Sequence, residues 1–180
     1  PNVSVANPDL TFHIHISHDH CSLSLDSSGE SLHKRGYRQE AMEAPLNEVL
    51  AAGMILLSGW NGQSDFIDPM CGSGTIPIEA ALIAHNMAPG LFRSQYAFEK
   101  WKDFDKDMFE TVYNDDSAER PFNFKIKGFD KDPKAIAVAR RNARAAGLAD
   151  EIDFEVRDFK DFEPIKERTV VITNPPYGER

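Results

Sequence analysis

Short apolar runs that each end on a polar residue constrain this chain more than any other feature. The runs end at Asp68, Asp130, Asp158 and Asn174, and helical patterns follow the first two. Strands that alternate with helices form βαβ units and a mostly parallel sheet. Because ligands of such sheets bind beyond the carboxyl ends of the strands, these polar residues predict a functional site at that edge.

Helix signals accompany these runs. Apolar residues recur at helical spacing over residues 45–58, and a strongly apolar helix is predicted after the turn "CGSG". Asp132 and Pro133 are typical of an N-cap and a first helical position, and Gly147 is typical of a helix end. Residues 89–122 are aromatic and acidic, and we interpret them as a helical insertion that is packed by its aromatic residues.

The start of the chain follows a different period. The segment "LTFHIHISHDHCSLSLD" alternates apolar and polar residues, which predicts a β-hairpin that turns near residues 18–20. His13 and His15 would share a strand face, where a histidine pair could bind zinc. The alternative is that these histidines are solvent-facing positions opposite an apolar face.

Composition narrows the class of protein. The 180 residues are 41% hydrophobic and 27% charged, as in a globular domain with a core, and no apolar stretch is long enough to span a membrane. The two cysteines are far apart, which suits a reducing cytoplasm better than a disulfide scaffold. The formal charge of −9 predicts repulsion from nucleic acid unless basic residues gather locally. A polar linker over residues 27–44 carries one positive cluster, of Lys34, Arg35 and Arg38.

The glycine turn "DPMCGSGTIP" does not fit two common nucleotide motifs. A phosphate-binding P-loop needs a lysine after its last glycine, and no lysine follows Gly74. A dinucleotide fingerprint needs a third glycine where this chain has Pro77. S-adenosylmethionine fits better, because its amino-acid end needs close backbone approach and no phosphate cradle. A turn with glycines at positions 72 and 74 would allow that approach, while Asp130 would accept hydrogen bonds from the ribose hydroxyls and Asp158 from the adenine amino group.

The segment "NPPY" after the last run predicts a catalytic loop. An exocyclic amino group is a poor nucleophile, because its lone pair is delocalised. The side-chain oxygen of Asn174 and the carbonyl of Pro175 could accept its N–H groups and turn the lone pair toward a methyl donor. Pro176 keeps that carbonyl out of backbone pairing, and Tyr177 could stack on a flipped base.

The motifs "LHKRGYR", "APLNEVLAAGMILLSGW", "DPMCGSGTIPIEAALIA" and "NPPYGER" together resemble the THUMP-associated ribosomal RNA methyltransferases, over about residues 8–180. These bacterial enzymes methylate the 2-amino group of a guanine in large-subunit ribosomal RNA. The resemblance implies an α/β fold, the Rossmann-like class I methyltransferase with a partial parallel sheet, preceded by a short β-hairpin. It implies S-adenosyl-L-methionine as cofactor, large-subunit ribosomal RNA as partner, and no membrane.

The resemblance also implies roles for individual residues. The catalytic residues that it implies are Asn174, Pro175, Pro176 and Tyr177. The cofactor-binding residues that it implies, with no metal, are Asp68, Pro69, Cys71, Gly72, Ser73, Gly74, Thr75, Asp130 and Asp158.

Domain boundaries follow from the same resemblance. Residues 1–26 match the terminal strands of a THUMP-type RNA-binding region, residues 27–44 a linker, and residues 45–180 the N-terminal part of the methyltransferase domain. We therefore expect this chain to be a fragment whose last strand is an exposed edge. Alone, it should bind cofactor weakly and should not turn over RNA.

Alternatives remain open at two places. Cys71 could be a nucleophile like that of ring-carbon methyltransferases, or a buried packing residue of the cofactor turn. Arg140, Arg141 and Arg144 could contact RNA phosphates, or form a solvated face near a helix C-terminus.

Other functions compete with the rRNA assignment. The "NPPY" motif also serves tRNA guanine, DNA adenine and glutamine methyltransferases. A non-catalytic RNA-binding or ribosome-assembly module is the alternative of another class. Such a scaffold would not need the acids and the glycines of the turn, so their presence favours an enzyme.

Overall fold

The computed structural model describes residues 8–39, 45–162, 168–176 and 178. Two short 3-10 helices, Ala97–Lys100 and Phe159–Asp161, accompany the main elements. In chain order the main elements are β1 (Phe12–Ser17), β2 (His20–Leu25), α1 (Glu48–Leu57), β3 (Asp65–Asp68), α2 (Thr75–His85), α3 (Lys106–Tyr113), β4 (Ile126–Asp130), α4 (Pro133–Ala145), β5 (Ile152–Val156) and β6 (Thr169–Val171).

The predicted parallel sheet is confirmed. Its four described strands lie in the order β5-β4-β3-β6, and every neighbouring pair is parallel. Phe66 of β3 is the centre of the register, since it pairs with Ile126 of β4 on one side and with Val170 of β6 on the other. All four strands therefore end at one edge, and the polar residues that follow them meet there.

The core explains why these segments form strands and helices. Phe66, Ile67 and Ile126 are each 1% exposed or less, because helices that connect parallel strands cover both sheet faces. The helix α2 is buried on nearly every side, as its mostly apolar sequence requires. Trp60 packs against β3, and the centroid of its ring lies 4.8 Å from that of the Phe66 ring.

Capping residues set the ends of α4 where the sequence predicted them, whereas α1 begins at Glu48 and not at residue 45. The side chain of Asp132 accepts a hydrogen bond from the Lys134 N–H, and Pro133 begins α4. Gly147 follows the end of that helix with φ of +65°. The side chain of Asn47 caps α1 in the same way, through the N–H groups of the next helical residues.

The predicted β-hairpin is also confirmed, but neither of its faces is buried. Phe12 pairs with Leu25 and Ile14 with Leu23, so one face is apolar throughout. That face is exposed, with Ile14 at 66% and Ile16 at 72%. Within the part of the chain that the structure describes, no group of three or more His, Cys, Asp or Glu side chains could hold a metal ion.

The insertion is less helical than expected, and the arginines of the expected linker make buried contacts. The segment 89–122 is helical only at Ala97–Lys100 and in α3, and its aromatic rings pack on one another, with Phe98 and Phe109 5.6 Å apart. The positive cluster is not a free surface, since its two arginines are largely buried in ion pairs: Arg35 lies 3.5 Å from Glu79 and Arg38 lies 2.9 Å from Glu48. Among the described helices, none is long and apolar enough to cross a membrane.

Candidate active site

A cleft of about 920 Å³ lies at the carboxyl edge of the parallel sheet. Most of the residues predicted for the cofactor and for catalysis line it together. From the predicted sets, the lining residues are Asp68, Pro69, Cys71, Gly72, Ser73, Thr75, Asp130, Asp158, Asn174, Pro175 and Pro176. Tyr177 lies outside the described residues, so its role stays a prediction.

The glycine turn between β3 and α2 is held by backbone hydrogen bonds. The Cys71 N–H donates to the Phe129 carbonyl at 2.7 Å, and the Gly74 N–H donates back to the Cys71 carbonyl at 2.9 Å. Gly72 has φ of +53°, and a Cβ built on it would meet nothing within 4 Å. The backbone at Gly72 is therefore open on the side of the cleft, where a ligand could approach it closely.

Gly74 does not line the cleft, although the sequence suggested that it would approach the ligand. A Cβ at Gly74 would lie 2.9 Å from the Cβ of Ala139 and 3.1 Å from the ring of Phe154, and its φ is +84°. The residue is the N-cap of α2. The left-handed conformation of Gly74 lets α2 begin close to α4 and β5, where a residue with a side chain would not fit.

Asp68 is a buried acid at the base of the cleft. It is 1% exposed, and this burial raises its pKa to about 7, with a smaller contribution in the same direction from the charge of Asp130. The Thr173 hydroxyl and the Met70 N–H, which is 3.1 Å from the carboxylate, act in the opposite direction. Asp68 is therefore poised to change its protonation near neutral pH.

Asp130 supports the turn while it faces the cleft. One carboxylate oxygen accepts from the Gly72 N–H and the other from the Asp132 N–H, each at 2.9 Å. A carboxylate oxygen has two acceptor sites, so these bonds leave capacity for ligand hydroxyls. Asp158 similarly accepts from the Lys160 N–H at 3.0 Å where its 3-10 helix begins.

The environment of Cys71 separates the two roles that the sequence left open. The residue is 7% exposed, and burial raises the pKa of its thiol well above the usual range, with the charges of Asp68 and Asp130 adding to the effect. A thiol that stays protonated is a poor nucleophile. Its sulfur also lies 3.2 Å from where a Cβ of Gly128 would stand, so Cys71 packs the turn against β4.

The catalytic segment continues directly from the sheet. The Ile172 N–H donates to the Ile67 carbonyl at 3.1 Å, which extends the pairing of β6 with β3. Two residues later the chain reaches Asn174, followed by Pro175 and Pro176 at the mouth of the cleft. The end of β6 thus brings the amide and the proline carbonyl beside the turn after β3.

Sequence reasoning missed several residues that also line the cleft. Leu46, Lys131 and Phe159 are among them. Lys131 and Phe159 directly follow Asp130 and Asp158, so the position after each strand-end acid was the available signal. Leu46 comes from the segment before α1, and nothing local in the sequence indicates that it reaches the cleft.

A family model described as UPF0020, RMKL-like, methyltransferase domain matches residues 35–180. The chain belongs to this family. Over its full length it is 42% identical to a ribosomal RNA large subunit methyltransferase K/L of Vibrio parahaemolyticus, of which it covers 26%. The chain therefore spans about a quarter of the length of this relative.

Solved structures of other methyltransferase-like proteins share the fold of this UPF0020 chain. The crystal structure of SMU.472, a putative methyltransferase complexed with SAH, has a TM-score of 0.85 and 42% sequence identity, covering 95% of this chain and 45% of that one. A protein from Listeria monocytogenes, described as a predicted N6-adenine-specific DNA methylase, has a TM-score of 0.87 and 42% identity with the same coverage. The Rossmann-like methyltransferase fold expected from the sequence is thereby confirmed.

Proposed function

We propose that this chain forms the cofactor side and the catalytic loop of an S-adenosyl-L-methionine-dependent RNA methyltransferase. The methyl acceptor in this proposal is the exocyclic 2-amino group of a guanine in large-subunit ribosomal RNA. One observation carries the proposal: the glycine turn after β3 and the Asn174–Pro176 segment after β6 line the same cleft. A methyl donor bound at the glycine turn and an amino group bound at the Asn174–Pro176 segment would lie side by side.

The residues of the cleft fit the cofactor. Gly72 leaves its backbone open on the cleft side, which suits the amino-acid end of the cofactor. Asp130 has acceptor capacity for the ribose hydroxyls, and Asp158 lines the same cleft, where it could accept from the adenine amino group. When bound, S-adenosyl-L-methionine supplies a methyl group on a positively charged sulfur. The complex of SMU.472 with SAH supports this choice of ligand.

The chemistry assigned to this chain is orientation of an amino group. The side-chain oxygen of Asn174 and the carbonyl of Pro175 accept the two N–H groups, which directs the nitrogen lone pair toward the methyl carbon. The same two oxygens would stabilise the positive charge that the nitrogen gains when it takes the methyl group that the cofactor would supply. The extra proton then leaves to water, so no general base is required.

The name of the Vibrio relative favours ribosomal RNA as substrate. The description of the Listeria protein points instead to adenine in DNA, whose 6-amino group has the same chemistry. We favour guanine in ribosomal RNA because the "LHKRGYR" segment and the insertion 89–122 accompany the motif in this chain. We expect the enzyme in the cytoplasm, where its RNA substrate is found.

We further propose a division of labour along the chain. Residues 1–26 would belong to an RNA-binding region of the THUMP type, residues 27–44 would be a linker, and residues 45–180 would belong to the methyltransferase domain with an insertion at about 89–122. RNA capture would then depend on basic surface outside the catalytic part, since this chain carries a formal charge of −9.

A deletion strain tests the proposed substrate. The gene that encodes this chain is deleted, and nucleosides of purified large-subunit rRNA are compared with those of the parent strain by mass spectrometry. We expect the loss of one 2-methylguanosine. An unchanged rRNA profile together with a lost modification in tRNA or DNA would move the assignment to those substrates. Unchanged profiles in all three would favour the non-catalytic module.

A further inference from the structure

A group of largely buried polar contacts lies next to the glycine turn. It begins with Arg38, which comes from the segment expected to be a linker. Its guanidinium donates to the Leu46 carbonyl at 2.8 Å and to the Thr75 hydroxyl at 3.0 Å, and it lies 2.9 Å from the carboxylate of Glu48. One side chain therefore joins the segment before α1, the helix α1 itself and the start of α2.

Two of these contacts belong to the cleft. Leu46 and Thr75 both line it, and Thr75 is the residue that follows the turn and begins α2. A planar guanidinium can hold several acceptors at fixed angles, which a lysine cannot do. Arg38 thus fixes the distance between two walls of the cleft, although Arg38 is not itself among the lining residues.

The neighbouring residue continues the same connection. The Gln39 N–H donates to the side-chain oxygen of Asn142 at 3.0 Å, and the Asn142 amide donates to the Ser73 carbonyl at 3.1 Å. Asn142 is 1% exposed, so these bonds are made in a buried environment, where an unsatisfied partner is costly. The turn is therefore held through the backbone carbonyl of Ser73 and through the side-chain hydroxyl of Thr75.

The pairing partner of Arg38 explains why the contact is rigid. The Glu48 side chain is 6% exposed and that of Arg38 is 17% exposed, so the ion pair is shielded from solvent. Separating a buried pair leaves an unpaired charge, which is strongly destabilising. The guanidinium is thus anchored at Glu48, and its remaining N–H groups are aimed at Leu46 and Thr75.

We propose that Arg38 is a positioning residue, which sets the shape of the cofactor turn through the Thr75 hydroxyl and the Leu46 carbonyl. The effect of Arg38 on ligand binding rests on the proposed function, because it presupposes that the turn holds the cofactor. The effect of Arg38 on the shape of the turn does not depend on that function. Residues 35–39 then act as a strap of the methyltransferase domain, and any shift in this strap is transmitted to the cofactor turn.

A double-mutant cycle on ligand binding tests the coupling. Arg38→Met and Thr75→Val are made singly and together in the protein from the complete gene, and the dissociation constant of S-adenosylhomocysteine is measured by calorimetry. We expect Arg38→Met to weaken binding about tenfold or more, as for the loss of a charged hydrogen bond. Thr75→Val should add little in the Arg38→Met background. Additive effects, or wild-type affinity in a folded Arg38→Met protein, would overturn the proposal.

Two controls separate positioning from folding and from charge. Lys34→Met removes a positive charge from the same segment at an exposed ion pair with Glu30, and it should leave binding unchanged. Loss of affinity in Lys34→Met equal to that in Arg38→Met would show a general charge effect and contradict the proposal. Arg38→Lys keeps the charge near Glu48 but loses the planar arrangement of N–H groups, so this variant should stay folded and still bind S-adenosylhomocysteine weakly. Wild-type affinity in Arg38→Lys would contradict the positioning role.

Hydrogen exchange of the unliganded protein keeps this test distinct from the proposed function. In Arg38→Met the amides of Gly72 and Gly74 should exchange faster, while those of β4 should keep their protection. Unchanged exchange at the turn would overturn the positioning role. If the wild-type protein binds no S-adenosylhomocysteine but its turn still loosens in Arg38→Met, the proposed function fails and the positioning role stands.

Discussion

The two sheets of this chain use the same kinds of residues with opposite results. In the parallel sheet, Phe66 and Ile126 are 1% exposed or less, whereas Ile14 and Leu23 of the hairpin are each 66% exposed. The parallel strands are predicted from short apolar runs and the hairpin from alternation of apolar and polar residues, and the alternation predicts the hairpin strands but not the exposure of their apolar face. Burial depends on the helices that connect the parallel strands and cover the sheet. These connections also place all the carboxyl ends of the strands at one edge, where the cleft lies.

Large-to-small substitutions should give the widest separation between the sheets. Phe66→Ala removes a fully buried ring beside Trp60 and should lower the free energy of unfolding by about 3–5 kcal/mol. The matched hairpin variant, Ile14→Ala, should change it by less than about 0.5 kcal/mol, since exposed positions contribute little. Denaturant titration of both variants checks this, and equal losses would erase the contrast between the sheets.

The buried acid of the parallel sheet should make stability depend on pH. Asp68 has a folded pKa of about 7, above that of the unfolded chain. Its contribution is full below the unfolded pKa and is lost as pH rises through about 7, a change of up to about 4 kcal/mol. Stability curves measured from pH 4 to pH 8 should show this decline in the wild type and not in Asp68→Asn.

Asp26, which directly follows the hairpin, should behave in the opposite sense. Hydrogen bonds from the Gly29 N–H, then from the Ser28 side chain and N–H, lower the pKa of Asp26. The stability that it contributes is present above its unfolded pKa and is lost as pH falls through its folded pKa. Asp26→Asn should therefore be less stable than the wild type near pH 7, and this difference should disappear at acidic pH; a difference that persists at acidic pH would contradict this assignment.

Much of the fold could be predicted from the sequence because its signals are local. The strand ends at Asp68 and Asp130 and the cap at Asp132 depend on neighbours within a few residues, and the structure has them as expected. The buried contacts of the linker arginines could not be predicted, because packing decides which partners they meet; Arg35 and Glu79 are 44 positions apart. Only the packed fold brings such pairs together, so no local pattern could have indicated them.

The residues of the cleft also fall into those that local sequence patterns predict and those that they do not. Residues after strand ends could be predicted, because parallel strands share one edge. Gly74 was assigned to the ligand from its motif, yet its conformation is needed to pack α2 near Ala139. Leu46 and the role of Arg38 could not be predicted, since both depend on how α1 docks beside the turn.

Substitution of two turn glycines by alanine compares a turn that is packed against other elements with one that is not. Gly74→Ala meets a strained φ and a contact 2.9 Å from Ala139, so it should cost about 2–4 kcal/mol. Gly147→Ala meets a similar φ of +65° with no atom within 4 Å and should cost only about 1–2 kcal/mol. Thermal unfolding of the pair measures the difference, and identical losses would mean that packing at Gly74 is unimportant.

The smallest effect is expected at the hairpin turn, where packing is absent. His18 has φ of +53°, a conformation that costs an ordinary residue about 1 kcal/mol. His18→Gly should therefore stabilise the chain by about 0.5 kcal/mol, the remainder being offset by the greater backbone entropy of glycine when unfolded. Asp19→Gly is the matched control, because Asp19 is not in that conformation, and it should destabilise. Stabilisation of both variants would contradict the reasoning.

Complementation of the deletion strain tests the central claim most directly. The complete gene is returned either unchanged or with Asn174→Ala, at matched protein levels, and 2-methylguanosine in large-subunit rRNA is measured by mass spectrometry. Since the Asn174 oxygen is proposed to orient the amino group, the unchanged gene should restore the modification and the variant should not. Full restoration by Asn174→Ala would contradict the assignment of the carboxyl edge of the sheet as the site of methyl transfer.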